Sequence, residues 1–240
     1  QSRGRMLIRL SLAKKMLEWG LFYMPYTLDF RGRAYSVCEL LSPQSSDFDR
    51  GLIMFANTMK QTKEGLYYQK IYLANLFGID KVSFDERVAW VDEHWDIFEE
   101  ISKDPYSNYF WVDDAVKKNK SFQRLATIID ITRKDGLTQV PIHMDGKCNG
   151  GQHWSAIRRD PQIAKLTNVL PSDKPEDLYQ YVADRVTDYC ALHRDENNYY
   201  QEFLEHWGII NRAVTKRSTM CDSYGLTFYG IQKYTRVEGH

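Results

Sequence analysis

Across most of this chain apolar residues recur at helical spacing and almost nowhere alternate, and that periodicity constrains the fold more than any other feature. Residues 5–19 (RMLIRLSLAKKMLEW) carry it, as do residues 63–77 and 85–101. The last of these begins behind Ser83 with Glu86 three residues on, the pattern of a reciprocal helix cap. Residues 140–144 (VPIHM) form a short extended run ending at Asp145-Gly146 and followed by a helix over residues 151–159 that stops before Pro161. Ser172, with Asp173, Lys174 and Pro175, marks another helix start, and residues 176–192 have amphipathic spacing. A last helix, beginning near Tyr200 or Ile210, runs to Tyr224 with Gly225 as its stop. The expectation is a helix-rich α+β chain with few strands.

Length and composition set outer bounds. With 240 residues, 43% hydrophobic and 27% charged, the chain can form one large domain or two small ones. Six Trp, 16 Tyr and 11 Phe exclude a disordered chain, which would lack aromatic side chains for a core. Cys38, Cys148, Cys190 and Cys221 lie far apart without a CxxC pair, so neither a disulfide framework nor a zinc knuckle is indicated, and a reducing cytoplasm fits. The apolar stretch over residues 6–26 is interrupted by Arg9, Lys14, Lys15 and Glu18, short of the ~20 clean residues of a membrane span.

The formal charge is zero, with 32 basic and 32 acidic side chains, but the two signs are unevenly placed. Residues 1–33 carry Arg3, Arg5, Arg9, Lys14, Lys15, Arg31 and Arg33 against Glu18 and Asp29, whereas residues 92–104 are mainly acidic. A basic face turned to phosphate gives this pattern, and so do solvated helices of opposite sign.

Three stretches carry chemistry. In the last helix Arg212, Lys216, Met220 and Tyr224 recur every fourth residue, within a sector of about 120°, so all four share one face. Two cations and a ring so arranged can grip a triphosphate and hold a sugar or base. Arg and Lys four apart are also common on solvated helices, a reading that accounts less well for Met220 and Tyr224. In IHMDGKCNGGQHW, a lone carboxylate, Asp145, stands beside Gly146, Gly150 and Gly151, a combination that suits magnesium held together with nucleotide phosphates and that also suits a simple turn. His143 and His153 flank it without a third nitrogen or sulfur ligand at suitable spacing, and neither reads as a metal ligand. In PYTLDFRGRAY, residues 25–35, Gly32 lets the backbone turn so that Arg31 and Arg33 can meet successive phosphates, or simply stand on a surface loop.

Taken together and in order, these stretches resemble the single-subunit DNA-dependent RNA polymerases of bacteriophages and mitochondria. Asp29-Phe30-Arg31-Gly32-Arg33 is similar to that family's DxxGR loop, Asp145-Gly146 to its motif A, and Arg212, Lys216, Tyr224 and Gly225 to its motif B. The connecting text LLSPQSSDFDRGLIMFAN, LTNVLPSDKPEDLY and AVTKRSTM resembles the family as well. Three motifs in order carry specificity that none has alone. The resemblance implies a partial right-hand polymerase fold. Residues 1–24 would be a helix leading from the thumb side, residues 25–170 a palm with a helical insertion bearing the motif A strand, and residues 171–240 the start of the fingers with the motif B helix.

It also implies roles. Asp145, with the Gly146 carbonyl nearby, would hold Mg2+ in a two-metal site. Arg212 and Lys216 would contact the incoming NTP, and Tyr224, beside Met220 and Gly225, would take part in selecting ribose. Asp29, Arg31, Gly32 and Arg33 would support the DNA template and the RNA transcript. Related DNA polymerases carry a Glu five residues after the motif A Asp; here Gly150 leaves room for a ribose 2′-hydroxyl. Met220, where those enzymes have an aromatic residue, points the same way.

The family's second catalytic aspartate lies in a His-Asp-Ser motif, and no HDS occurs in this sequence. The resemblance therefore implies a second Asp from outside this chain, supplied by the rest of a longer polymerase or by a complementary polymerase polypeptide in a heteromer. Asp113, Asp114, Asp130 and Asp135 are the internal alternatives, none in a strand–turn–strand setting. A non-catalytic nucleic-acid-binding scaffold derived from a polymerase, and a DNA polymerase or primase on the same scaffold, are the competing functions.

Overall fold

Capping side chains at Thr62, Ser83, Asp160, Asp177 and Asn211 set where the helices that follow them begin. The computed structural model describes residues 3–112, 120–195, 198–207 and 210–238. The chain divides into two compact units between His143 and Met144, within the segment expected as palm.

The first unit opens with α1 (Arg3–Trp19), followed by an antiparallel hairpin of β1 (Tyr26–Leu28) and β2 (Ala34–Ser36), with Leu28 opposite Ala34. Then come α2 (Asp47–Gly51), β3 (Met59–Lys60), α3 (Lys63–Leu76), α4 (Phe84–Glu93), α5 (Trp95–Lys103), a 3-10 turn (Tyr109–Val112), α6 (Ser121–Ile131) and β4 (Leu137–Thr138), which pairs antiparallel with β3. Thr62 caps α3 through Gly65 N, and Ser83 caps α4 in a reciprocal pair with Glu86, as the sequence predicts. The helix expected over residues 85–101 is in fact two: α4 ends at His94, whose backbone leaves the helical region (φ −100°, ψ 10°), and α5 restarts one residue later. The break lets Val91, Phe98 and Ile101 meet Leu73, Ala74, Phe77, Ile128 and Ile131 in a single apolar core.

Arg124 lies within this core. Its Nε donates to the Leu76 carbonyl at 3.1 Å and an Nη to the Trp111 carbonyl at 3.3 Å, with the guanidinium 4.7 Å from the Phe77 ring centroid. Carbonyls at a helix end have no intrahelical partner, and a planar fork suits them. Arg9, one of the cations of the basic N-terminal stretch, is buried, its Nε 2.9 Å from Asp49 Oδ1. A helix so short of buried apolar surface as α1 is tied down by charge.

Among its described residues the regular elements of the second unit are all helices: α7 (Asn149–Arg158), α8 (Pro161–Leu166), α9 (Leu178–Leu192), α10 (Asn198–Trp207), α11 (Arg212–Asp222) and α12 (Phe228–Glu238). Asp160, Asp177 and Asn211 cap α8, α9 and α11 by accepting backbone amides. The helix start expected at Ser172 lies at Asp177. The Ser172 hydroxyl is spent on the Lys174 carbonyl, and Asn168 clamps the loop by donating to the Glu176 carbonyl at 3.0 Å and accepting from its amide at 2.9 Å. The single last helix expected from sequence is α10 and α11, and the chain turns at Gly225 and continues as α12. The core here is small: Ala183, Ile210 and Val214 are buried, with Val186 against them, where α9 and α11 pack.

Candidate active site

Asp145 is not at a strand end. β4 stops at Thr138, and residues 139–148 are irregular. A strand needs a ladder partner, and this segment's bonds go elsewhere: Gln139 N donates to Asp130 Oδ1 at 3.1 Å and its carbonyl accepts from Phe55 N at 2.9 Å. Pro141 has no amide to donate. Asp145 is exposed and, among the described residues, its carboxylate has no ion pair or hydrogen bond. The backbone then packs closely. A Cβ on Gly146 would meet Asn149 Oδ1 at 2.4 Å, so the Asn149 side chain lies back over that glycine. Cys148 takes the left-handed conformation (φ 50°), which turns the chain into α7.

Of the four residues expected on one helix face, Arg212, Lys216 and Met220 lie in α11, whereas the helix ends at Asp222, short of the expected Tyr224, which stands in the turn beyond it. Asn211 Oδ1 accepts from Ala213 N at 2.9 Å and Val214 N at 3.4 Å to start the helix. Val214 and Thr215 are buried, which leaves Lys216 and Met220 exposed and Tyr224 66% exposed. Gly225 (φ 77°) ends the helix by donating to Asp222 O at 3.0 Å, while Leu226 N donates to Cys221 O at 3.3 Å, the paired closure that favours glycine.

Arg212 is held more firmly than the other three. Its Nε lies 2.5 Å from Asp177 Oδ2, and its guanidinium stands 5.2 Å from the centroid of the Tyr179 ring. Burial acts against the Asp177 carboxylate, but the Arg212 bond and charge, with the amides of Gln180 and Tyr179, outweigh it and hold its pKa below the usual carboxylate range. Burial, and then a hydrogen bond with the Cys148 thiol, push the Tyr179 hydroxyl up.

One contact joins α7, which follows the Asp145 segment, to the end of α11: a Cβ on Gly150 would meet Ser223 Cβ at 2.7 Å and Oγ at 2.1 Å. The room expected beside Gly150 for a ribose hydroxyl is thus filled by Ser223, because the end of α11 packs against the first turn of α7. Sequence reasoning missed Asp177, Tyr179 and Ser223. Asp177 carries the one readable signal, an acidic cap before an amphipathic run.

The DxxGR stretch, in the first unit, is a hairpin turn. Asp29 Oδ1 accepts from Arg31 N at 2.9 Å and Arg33 N at 2.8 Å, and Gly32 supplies the positive φ of 77°. The Arg33 amide is the main cause of the lowered Asp29 pKa, with the Arg31 amide and charge adding to it against the cost of burial. Phe30, at the tip, is 96% exposed.

Of the internal alternatives for a second carboxylate, Asp113 and Asp114 lie outside the described residues. Asp130 is buried and accepts from Gln69, Thr138 and Gln139, and Asp135 pairs with Arg133, so both have structural duties. Among the described residues no group of three or more His, Cys, Asp or Glu could hold a metal ion. Asp145 is thus an exposed carboxylate, while α11 carries Arg212, held by Asp177, and an exposed Lys216.

Comparison with known proteins gives the family. The family described as DNA-dependent RNA polymerase matches residues 59–238. Over 239 residues the chain is 35% identical to DNA-directed RNA polymerase 2, chloroplastic/mitochondrial, of Arabidopsis thaliana, covering 94% of this chain and 23% of that one. The mitochondrial enzyme of Schizosaccharomyces pombe is 34% identical over 233 residues, covering 94% and 20%. DNA-directed RNA polymerase 1, mitochondrial, of Nicotiana sylvestris is 35% identical over 241 residues, covering 94% and 24%. The chain belongs to the single-subunit, phage and mitochondrial type of DNA-dependent RNA polymerase. It spans under a quarter of the length of these curated relatives. Among the described residues no helix is long and apolar enough to cross a membrane.

Proposed function

We propose that this chain supplies the nucleotide-binding half of a template-directed RNA polymerase site, transferring nucleotides from NTPs to an RNA 3′ end. The observation that carries the reading is the packing of Gly150 against Ser223, which joins the segment after Asp145 to the end of α11. Arg212 and Lys216 bind the triphosphate and balance the charge that develops on it, while Tyr224 bounds the sugar. The turn at Asp29, Arg31, Gly32 and Arg33 meets the phosphates of template and transcript. Residues 25–170 then serve as palm and residues 171–240 as the start of the fingers.

The donors present fit magnesium: one exposed carboxylate, Asp145, with the Gly146 carbonyl beside it, is an all-oxygen set of the kind that ion shares with phosphates and water. When bound, Mg2+ supplies charge stabilisation for the attacking and leaving oxygens. A single carboxylate is half of such a site, so the second Asp comes from polypeptide bearing the HDS motif, either further along the polymerase or on a complementary chain.

Primer extension on a nicked or bubble template tests this. The chain alone should be inactive. Addition of the polypeptide bearing HDS should give ribonucleotide incorporation that Asp145→Asn abolishes while nucleic-acid binding survives. Robust extension by the isolated chain, or extension indifferent to Asp145→Asn, overturns the reading.

A further inference from the structure

The contacts around Arg212 raise a question that the polymerase assignment does not answer. A phosphate-binding arginine normally gains from being free to offer its whole fork, yet this one has a carboxylate beside it. That carboxylate neutralises charge where an anion is to bind. Either Asp177 weakens nucleotide binding, or it contributes something worth more than the charge it cancels.

The geometry decides between them. Asp177 Oδ1 is already committed to the cap of α9, accepting from Tyr179 N at 3.1 Å and Gln180 N at 3.3 Å. Only Oδ2 is left for the arginine, and it takes Nε at 2.5 Å. Fork-to-fork pairing, which would consume a terminal nitrogen as well, is therefore precluded. The Tyr179 ring supports the guanidinium plane from one side at 5.2 Å. One turn on, the Thr215 hydroxyl donates to the Tyr179 carbonyl at 2.8 Å, fastening α11 to the same residue. An unrestrained arginine gives up rotamer freedom when it grips a ligand. Here that freedom is spent before the ligand arrives, and both terminal nitrogens stay available.

We propose that Asp177 and Tyr179 are positioning residues for the nucleotide triphosphate. Asp177 fixes the roll of the Arg212 guanidinium, and Tyr179 supports that guanidinium with its ring while its carbonyl fastens α11 through Thr215. The inference rests on the reading of Arg212 as a triphosphate contact.

Asp177→Asn tests it in the complete polymerase that contains this chain. Asparagine is as good a helix cap as aspartate, so α9 is preserved while the charge is lost. If Asp177 acts by charge, its removal lowers the KM for NTP. If it acts by positioning, KM rises about five-fold with kcat nearly unchanged and the unfolding temperature held. Tyr179→Leu, which removes the ring beside the guanidinium and keeps the carbonyl that Thr215 meets, should raise KM about two-fold. In the double variant with Arg212→Ala, Asp177→Asn should add nothing further, as expected for residues acting through one another. A KM for Asp177→Asn that falls or stays unchanged while Arg212→Ala raises it overturns the positioning role alone. A KM indifferent to Arg212→Ala overturns the triphosphate contact and the positioning role with it.

Discussion

Gly150, in the first turn of α7, lies so close to Ser223, at the end of α11, that no side chain fits between them: an added Cβ would come within 2.7 Å of the serine Cβ. Helix propensity alone favours alanine there by about 1 kcal/mol. Overpacking costs about 1–3 kcal/mol and should win. Gly150→Ala is expected to lower the unfolding temperature, and Ser223→Gly in the same chain to restore most of it. A Gly150→Ala variant more stable than the parent would mean that the two helices do not meet there.

Gly32 presents the opposite case. A Cβ at this position would meet nothing within 4 Å, but its φ of 77° is left-handed. Gly32→Ala therefore costs backbone strain and nothing else, about 1–2 kcal/mol. The loss should be local, read as faster hydrogen exchange at the Arg33 amide that Asp29 holds, with exchange in α3 and α6 unchanged.

Arg124→Lys is expected to be severe despite the conserved charge. Lysine cannot reach the Leu76 and Trp111 carbonyls with a planar fork or lie against the Phe77 ring. It leaves buried carbonyls unpaired at about 1–3 kcal/mol. Urea denaturation of the chain should show a lower midpoint with the slope unchanged.

His143 gives the first unit a pH dependence. Burial, and then the positive charges of Arg50 and Lys120, hold its pKa below the ordinary 6.5, and Tyr72 is the ring packed nearest to it. The unfolded chain then takes up the His143 proton at a higher pH than the folded one. Stability is complete above the unfolded pKa and declines as pH falls from there toward the lowered folded value. His143→Gln should flatten the stability curve below about pH 6.5 relative to the parent. Curves that stay parallel through that range would contradict it.

Most of the helices could be read from sequence because their signals are local. Ser83 and Glu86 lie within one turn of each other, and the placement of Arg212, Lys216 and Met220 on one helix follows from spacing alone. The break at His94 could not be read, since apolar spacing continues straight through it and only the packing of Phe98 against Leu73 and Val91 requires the chain to restart. Residues 140–144 have the composition of a strand, but pairing belongs to two segments, and the bonds of Gln139 to Asp130 and Phe55 lie far apart in sequence. The same applies to the site. Asp145 and Arg212 stand out by residue type, whereas Asp177 and Tyr179 matter through contacts reaching more than thirty residues along the chain.

The small apolar cluster of Ala183, Ile210 and Val214 has a consequence for the unit that holds the site. With so little hydrophobic volume, order there depends on directional polar links: the caps at Asp160, Asp177 and Asn211, and the Asn168 brace across its loop. Such links fix angles rather than fill space. Damage to one of them misaims the groups that meet a ligand well before it reduces helix content, so circular dichroism can look intact in a variant whose chemistry is already lost.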